Sequence, residues 1–246
     1  AVKCNDVLDI IGVNYNLANL DALHEKFPEK PILSSENCAT GTTRGWYLDD
    51  CEKRAYINAY DHATNAWFGG RENTWRFLME REWIMGGYQW AGIEHRGEAK
   101  WPRLCSQSGA LDLYLQKKDA WYQNQSLWSE KPMVHILPHW NHNGREGEII
   151  PVWTYTNCEQ VELFYNGVSQ GKQDIRKYGH GEWQLEYAPG EIVAKAYIGG
   201  KEVVTLHEVV FVLGRHTEDG VGLARNGVAQ VATVEVTHSP LILILR

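Results

Sequence analysis

The segment Pro31-Ile32-Leu33-Ser34-Ser35-Glu36-Asn37 constrains the fold more than any other stretch. An apolar run stops at a carboxylate, and a polar, glycine-bearing loop follows from Asn37 to Gly45. A short buried strand delivering a Glu at its C-terminal end is how (β/α)₈ barrels place catalytic residues, because their active sites are built at that face. A second run, Trp83-Ile84-Met85-Gly86-Gly87-Tyr88-Gln89-Trp90, repeats the pattern with an aromatic at the strand end. Glu36 is therefore a candidate nucleophile and Trp90 a candidate sugar platform. The same pattern also suits a Glu that only caps the loop or helix after it.

The aromatic content points the same way. Eleven Trp and twelve Tyr in 246 residues is heavy usage. Flat rings cover sugar C–H surfaces while the indole N–H and phenol O–H keep a polar handle, although core packing accounts for most of them. A formal charge of −7 and a pI near 5.8 argue against a nucleic-acid partner, which needs a basic face. No run approaches the ~18 apolar residues of a membrane helix. No signal segment opens the chain. The five cysteines are widely spaced and form no C-x-x-C pair, so neither a zinc site nor a small disulfide scaffold is expected. Cys38, two residues after Glu36, reads either as a reactive thiol or as a buried or inert loop cysteine, and the second is favoured because no cationic neighbour pattern lowers its pKa. His135, His139 and His142 lie close in sequence but straddle Pro138 without matching carboxylates, which favours packing over a metal. Gly69-Gly70 and Gly86-Gly87 lack the context of a phosphate loop. No cofactor is expected.

Up to about residue 130 short apolar runs alternate with helical patterns. Leu8–Tyr15, Pro31–Glu36 and Ile84–Trp90 read as strands. Leu20–Phe27, Trp75–Glu82 (with Asn73 or Thr74 as N-cap) and part of Leu111–Trp128 read as helices. Such alternation means βαβ units and a parallel sheet. A closed barrel needs eight strands and typically ~250 residues, so residues 1–130 are expected to hold only its last three units.

After Pro132 the pattern becomes short alternating strands: Ile150–Tyr155, Gln160–Phe164, Gly181–Tyr187, Glu191–Ile198 and Glu202–Val212. Asn166-Gly167, Pro189-Gly190 and Gly199-Gly200 punctuate them as turns. Residues 131–213 therefore read as an all-β sandwich of immunoglobulin type. Residues 214–246 read as the truncated start of a further β-domain or a tail, with Val231–Val236 as a strand.

The resemblance that emerges is to glycoside hydrolase family 2, especially its bacterial β-galactosidase-like members. It is carried by Gly86-Gly87-Tyr88-Gln89-Trp90-Ala91-Gly92-Ile93-Glu94-His95-Arg96-Gly97-Glu98, by Trp101-Pro102, by Gly109-Ala110-Leu111-Asp112 and by Lys118-Asp119-Ala120-Trp121-Tyr122. Lys131–Asn141 resembles the junction from barrel to sandwich, and Val152–Cys158 with Val161–Phe164 and Asn166-Gly167 is similar to the family's C-terminal immunoglobulin-like domain.

The resemblance implies a retaining exo-β-galactosidase that acts on galactosides or oligosaccharides through two glutamates. Retention requires their carboxyls to lie only ~5–5.5 Å apart. By resemblance Glu36 is the nucleophile, and Asn14 and Tyr15 form the polar strand end beside it, the phenol orienting the carboxylate. Trp90 closes the sugar subsite, with Glu94, Arg96 and Trp101 as further substrate contacts. The family's acid/base follows an Asn well before the nucleophile, and the chain contains no Asn-Glu pair. The amino-terminal half of such an enzyme is thus the expected partner, and the chain alone is expected to be inactive. Glu94 or Glu98 is a weak substitute for the acid, since solvation or an ion pair with Arg96 suits both better. Glu94-His95 also departs from the Asp-Tyr common in relatives. Relatives are often periplasmic or secreted. The alternative is a non-catalytic β-sandwich, binding glycan or serving as a prop, with an inert barrel remnant. Exposure of Trp153 and Trp183 on one face would favour glycan binding.

Overall fold

Apolar runs at Ile11, Ile32 and Ile84 pair side by side because each buries an isoleucine at the start of a strand. The computed structural model describes residues 4–39, 41–48, 56–61, 70–99, 101, 104–210 and 230–233. The chain divides into two units, Ala1–Tyr122 and Gln123–Arg246. In the first, β1 (Ile11–Asn14), β2 (Ile32–Asn37) and β3 (Ile84–Gln89) form a parallel sheet in that order, with β2 central. Parallel neighbours need a crossover, and a helix commonly provides it. Helix α1 (Ala18–Lys26) lies between β1 and β2, burying Leu20 and Leu23 one turn apart. Helix α2 (Arg71–Met79) precedes β3 and buries Arg71, Thr74, Trp75 and Leu78, a single face at three- and four-residue spacing.

Helix α2 starts earlier than its local sequence suggests. Neither Asn73 nor Thr74 caps it. Its first backbone N–H groups, those of Arg71 and Glu72, donate to the two carboxylate oxygens of Asp61 at 2.8 and 2.7 Å. A carboxylate at a helix N-terminus satisfies orphan donors and complements the dipole. The residue between must be Gly70, because a Cβ there would sit 2.9 Å from the Asp61 carbonyl. Helix α3 (Asp119–Trp128) spans the division between the units.

The second unit is a β-sandwich. One antiparallel sheet contains β4 (Val134–Leu137), β5 (Ile149–Thr156) and β8 (His180–Glu186). The other contains β6 (Gln160–Tyr165), β7 (Val168–Asp174), β9 (Glu191–Ile198), β10 (Lys201–Val210) and β11 (Gln230–Thr233), in the order β11-β10-β9-β6-β7. Val134, Val152 and Leu185 from the first sheet meet Val161, Leu163, Ile192 and Ala194 from the second in one core. Asn166-Gly167 joins β6 to β7 with both residues at positive φ, 49° and 78°, the conformation that a tight two-residue hairpin demands. The strand expected at Val231–Val236 is present as β11 for its described part, and residues 234–236 lie outside the described residues.

Strand β7 escaped the sequence reading. Its residues, Val-Ser-Gln-Gly-Lys-Gln-Asp, are mostly exposed and carry no apolar alternation, because an edge strand can have both faces wet. Trp153 and Trp183 are both buried, at 6% exposure, so neither offers a glycan surface. Trp183 joins the core, and Trp153 stacks on His180 with ring centroids 3.9 Å apart.

Trp140 is fully buried among Tyr165, Tyr187 and His142, with its indole N–H on the Ala188 carbonyl at 3.0 Å. Trp140→Ala is expected to lower unfolding free energy by about 4 kcal/mol, measured by urea denaturation of the chain. A loss below about 1 kcal/mol would mean that the core closes over the site.

Candidate active site

The end of β2 is built by its two neighbours. Asn14 of β1 stands in register with Glu36, after an irregularity between Val13 and Asn14. Past it Tyr15 takes φ 60°, and its N–H donates to the Glu36 carbonyl at 2.8 Å. That reversal brings the phenol O–H round to donate to Glu36 Oε1 in a short hydrogen bond. Ser35 Oγ donates to Asn14 Oδ1 at 2.7 Å, which fixes the amide so that its NH₂ faces Glu36 Oε2, 3.5 Å away. Burial, and then the adjacent Glu36 carboxylate, push the Tyr15 phenol well above its ordinary value, so it stays a donor. Glu36 is half-buried, whereas Ser34 and Asn37 around it are fully buried. The carboxylate is thus held on one side and open on the other.

On the far side of β2, the N–H of Trp90 donates to the Asn37 carbonyl at 2.7 Å, which starts the indole beside the same strand end. Close approach there requires Gly87, since a Cβ would meet Asn37 Nδ2 at 2.6 Å. The indole N–H reaches Glu98 Oε2 at 3.3 Å, and the His95 ring meets the indole edge-on at 5.4 Å.

Glu94 is placed differently from its expected role. Neither it nor Glu98 pairs with Arg96. Glu94 Oε1 instead accepts from Lys118 Nζ at 2.8 Å, and Lys118 also donates to the Gln107 carbonyl at 2.8 Å. The two side chains are only 9% and 1% exposed, so the pair turns inward and ties the loop after β3 to the segment before α3. Lys118 belongs to a stretch that carries the family resemblance, but its pairing with Glu94 was not foreseen, because the two lie twenty-four positions apart. Arg96 and Trp101 are exposed, Trp101 at 82%, and neither hydrogen-bonds Glu36 among the described residues. The structure therefore brings Asn14 and Tyr15 onto Glu36 and ties the Trp90 backbone to the next residue, Asn37.

The loop after β2 is clamped as well. Arg44 donates to Asp112 Oδ2 at 2.7 Å, Tyr47 to Asp119 Oδ2 at 2.9 Å, and the N–H of Thr42 to the Gln107 carbonyl at 3.1 Å. Burial pushes the Cys38 thiol up to about 12, leaving it protonated and a poor nucleophile. Cys51 and Pro102 lie outside the described residues. His139 and His142 stack at 5.1 Å, and burial pushes His142 down to about 4. Among the described residues no three His, Cys, Asp or Glu side chains gather as metal ligands do.

A family described as "Domain of unknown function (DUF4982)" matches residues 147–204. The β-galactosidase BoGH2A of Bacteroides ovatus is 32% identical over 219 residues, covering 80% of this chain and 25% of that protein. A β-glucuronidase of Bacteroides fragilis is 26% identical over 192 residues, covering 76% of this chain and 27% of that protein. Among solved structures, a β-glycosidase from Bacteroides vulgatus superposes with TM-score 0.74 at 33% identity, covering 81% of this chain and 30% of that one. A glycosyl hydrolase family 2 member from Bacteroides cellulosilyticus gives TM-score 0.60 at 28% identity, with 81% and 25% covered. The chain spans about a quarter of the length of the curated relatives it matches.

The buried Lys118 supplies a test of the loop anchor. Burial, partly offset by Glu94, pulls its ammonium down from 10.5 to about 8. The unfolded chain holds that proton across the window from 8 to 10.5 while the folded chain releases it, so Lys118 makes stability rise with pH there. In Lys118→Met that rise, on the order of 1–3 kcal/mol, is expected to be absent from urea midpoints measured across the window. An unchanged slope would place Lys118 in water.

Proposed function

Because this chain belongs to glycoside hydrolase family 2, we propose that it carries the nucleophile side of a retaining exo-β-galactosidase, with Glu36 as the attacking carboxylate. The observation that carries the reading is the hydrogen bond from Tyr15 to Glu36, with Asn14 facing the other carboxylate oxygen. A nucleophile must present an oxygen in one orientation, and these donors limit its rotation. In this reading the three parallel strands are the last three units of a (β/α)₈ barrel, and the sandwich is its immunoglobulin-like companion. Trp90 lies under the apolar face of the sugar, with Arg96 and Trp101 as further substrate contacts.

In the first step a Glu36 oxygen bonds to the anomeric carbon as the glycosidic C–O bond breaks. An acid supplied by the amino-terminal part of the enzyme protonates the departing oxygen. Water then cleaves the glycosyl ester with that same group acting as base, restoring the original configuration. Tyr15 and Asn14 hold the carboxylate in both steps. Hydrolysis therefore depends on the amino-terminal part, whereas attack on a sugar whose leaving group needs no proton does not.

The test follows from that distinction. A 2-deoxy-2-fluoro-β-D-galactosyl fluoride loses fluoride without acid assistance, and its fluorine slows later hydrolysis. Incubation of the chain is expected to give one glycosyl adduct by intact mass, mapped to the peptide containing Glu36 and absent in Glu36→Gln. A folded chain that stays unlabelled would leave the sandwich as the only competent part.

A further inference from the structure

Trp90, His95 and Glu98 form a closed triangle on the loop after β3. The indole N–H donates to Glu98 Oε2 at 3.3 Å, the imidazole meets the indole edge-on, and His95 Nε2 lies 3.5 Å from the same Glu98 oxygen. Each member orients the other two. Gly97 at φ 143° and Glu98 at φ 48° turn the backbone so that the carboxylate returns over the indole edge. The side chain stays 64% exposed, so it has vacant acceptor positions facing solvent rather than a filled ion pair.

The triangle lies close to Glu36. Trp90 is pinned to Asn37, the next residue along β2, and the Glu98 charge reaches the Tyr15 phenol. The carboxylates acting on that phenol are Glu36 and Glu98, and both act in the anionic sense. Arg96, on the same loop, makes no ion pair with Glu98 among the described residues. Two carboxylates therefore lie toward the end of β2, and a ligand reaching it meets acceptors.

We propose that Glu98, held on the Trp90 indole by His95, is a specificity-determining residue that accepts hydroxyl hydrogen bonds from a neutral glycosyl unit and repels a uronate. The proposal rests on Glu36 being the nucleophile. It separates the two activities borne by the relatives' names through one charge. A carboxylic sugar would bring a like charge beside Glu98, and such juxtapositions are disfavoured.

Matched probes isolate that charge. The 2-deoxy-2-fluoro galactosyl and galacturonosyl fluorides differ only at carbon 6, as do the glucosyl and glucuronosyl fluorides. In each reaction the anomeric C–F bond breaks, fluoride leaves with the electron pair, and a Glu36 oxygen bonds to the carbon. Labelling rates of the chain are read by intact mass. In whichever configuration labels, the neutral member is expected to react about tenfold faster or more. Glu98→Gln is expected to bring the ratio near parity, and Glu98→Lys to reverse it. The ratio comes from one protein sample, so a loss of folded fraction cancels. A uronosyl probe that matches its neutral partner, or a ratio unmoved in Glu98→Gln, overturns the proposal. Absence of labelling by all four probes from folded chain instead removes the nucleophile reading on which it stands.

Discussion

The hydrogen bonding of β2 on both edges governs everything at its C-terminal end. In a parallel sheet the register of one pair fixes which side chains share a level. Here Asn14 is set against Glu36 on one side and Gln89 against Asn37 on the other. A slip of one residue would turn the carboxylate to the opposite face. The irregularity before Asn14 and the left-handed turn at Tyr15 are consequences of that arrangement. They let β1 end while its next side chain still reaches across to its neighbour.

The loops beyond the sheet are held by charge rather than by apolar bulk. Asp61 secures the start of α2, Arg44 and Asp112 join two loops, and Lys118 with Glu94 anchors a third. Each partner comes from a distant point in the sequence. Breaking one member of a buried pair costs far more than the pair contributes, so Lys118 and Glu94 specify the loop after β3. The sandwich follows the opposite rule, with a continuous apolar core and turns dictated by Asn-Gly and Gly-Gly steps.

Legibility in the sequence follows that difference. Most strands of the sandwich could be read almost to their ends, because apolar runs or alternation mark them between turn signals, as the strict alternation of β8 does. The strand end at Glu36 was readable because an apolar run stops there, whereas Asn14 and Tyr15 were singled out beside it through the family resemblance. The start of α2 was not readable, since its cap is a carboxylate ten residues away rather than a neighbouring Asn or Thr. Nor was the role of Glu94, because pairing with a buried lysine twenty-four positions later leaves no local trace. Strand β7 was missed because pairing on a single edge imposes no apolar alternation.

That polar strand has a consequence for how the molecule behaves among copies of itself. A sheet edge is an open row of donors and acceptors that another chain could extend. On this side the row is occupied by Ser169, Gln170, Gly171, Lys172 and Gln173, most of them in water, and Lys172 lies over the Tyr197 ring at 3.4 Å. An incoming strand would have to strip hydration from both faces without covering any oil. At crowded concentrations the β7 edge therefore favours dispersal over stacking.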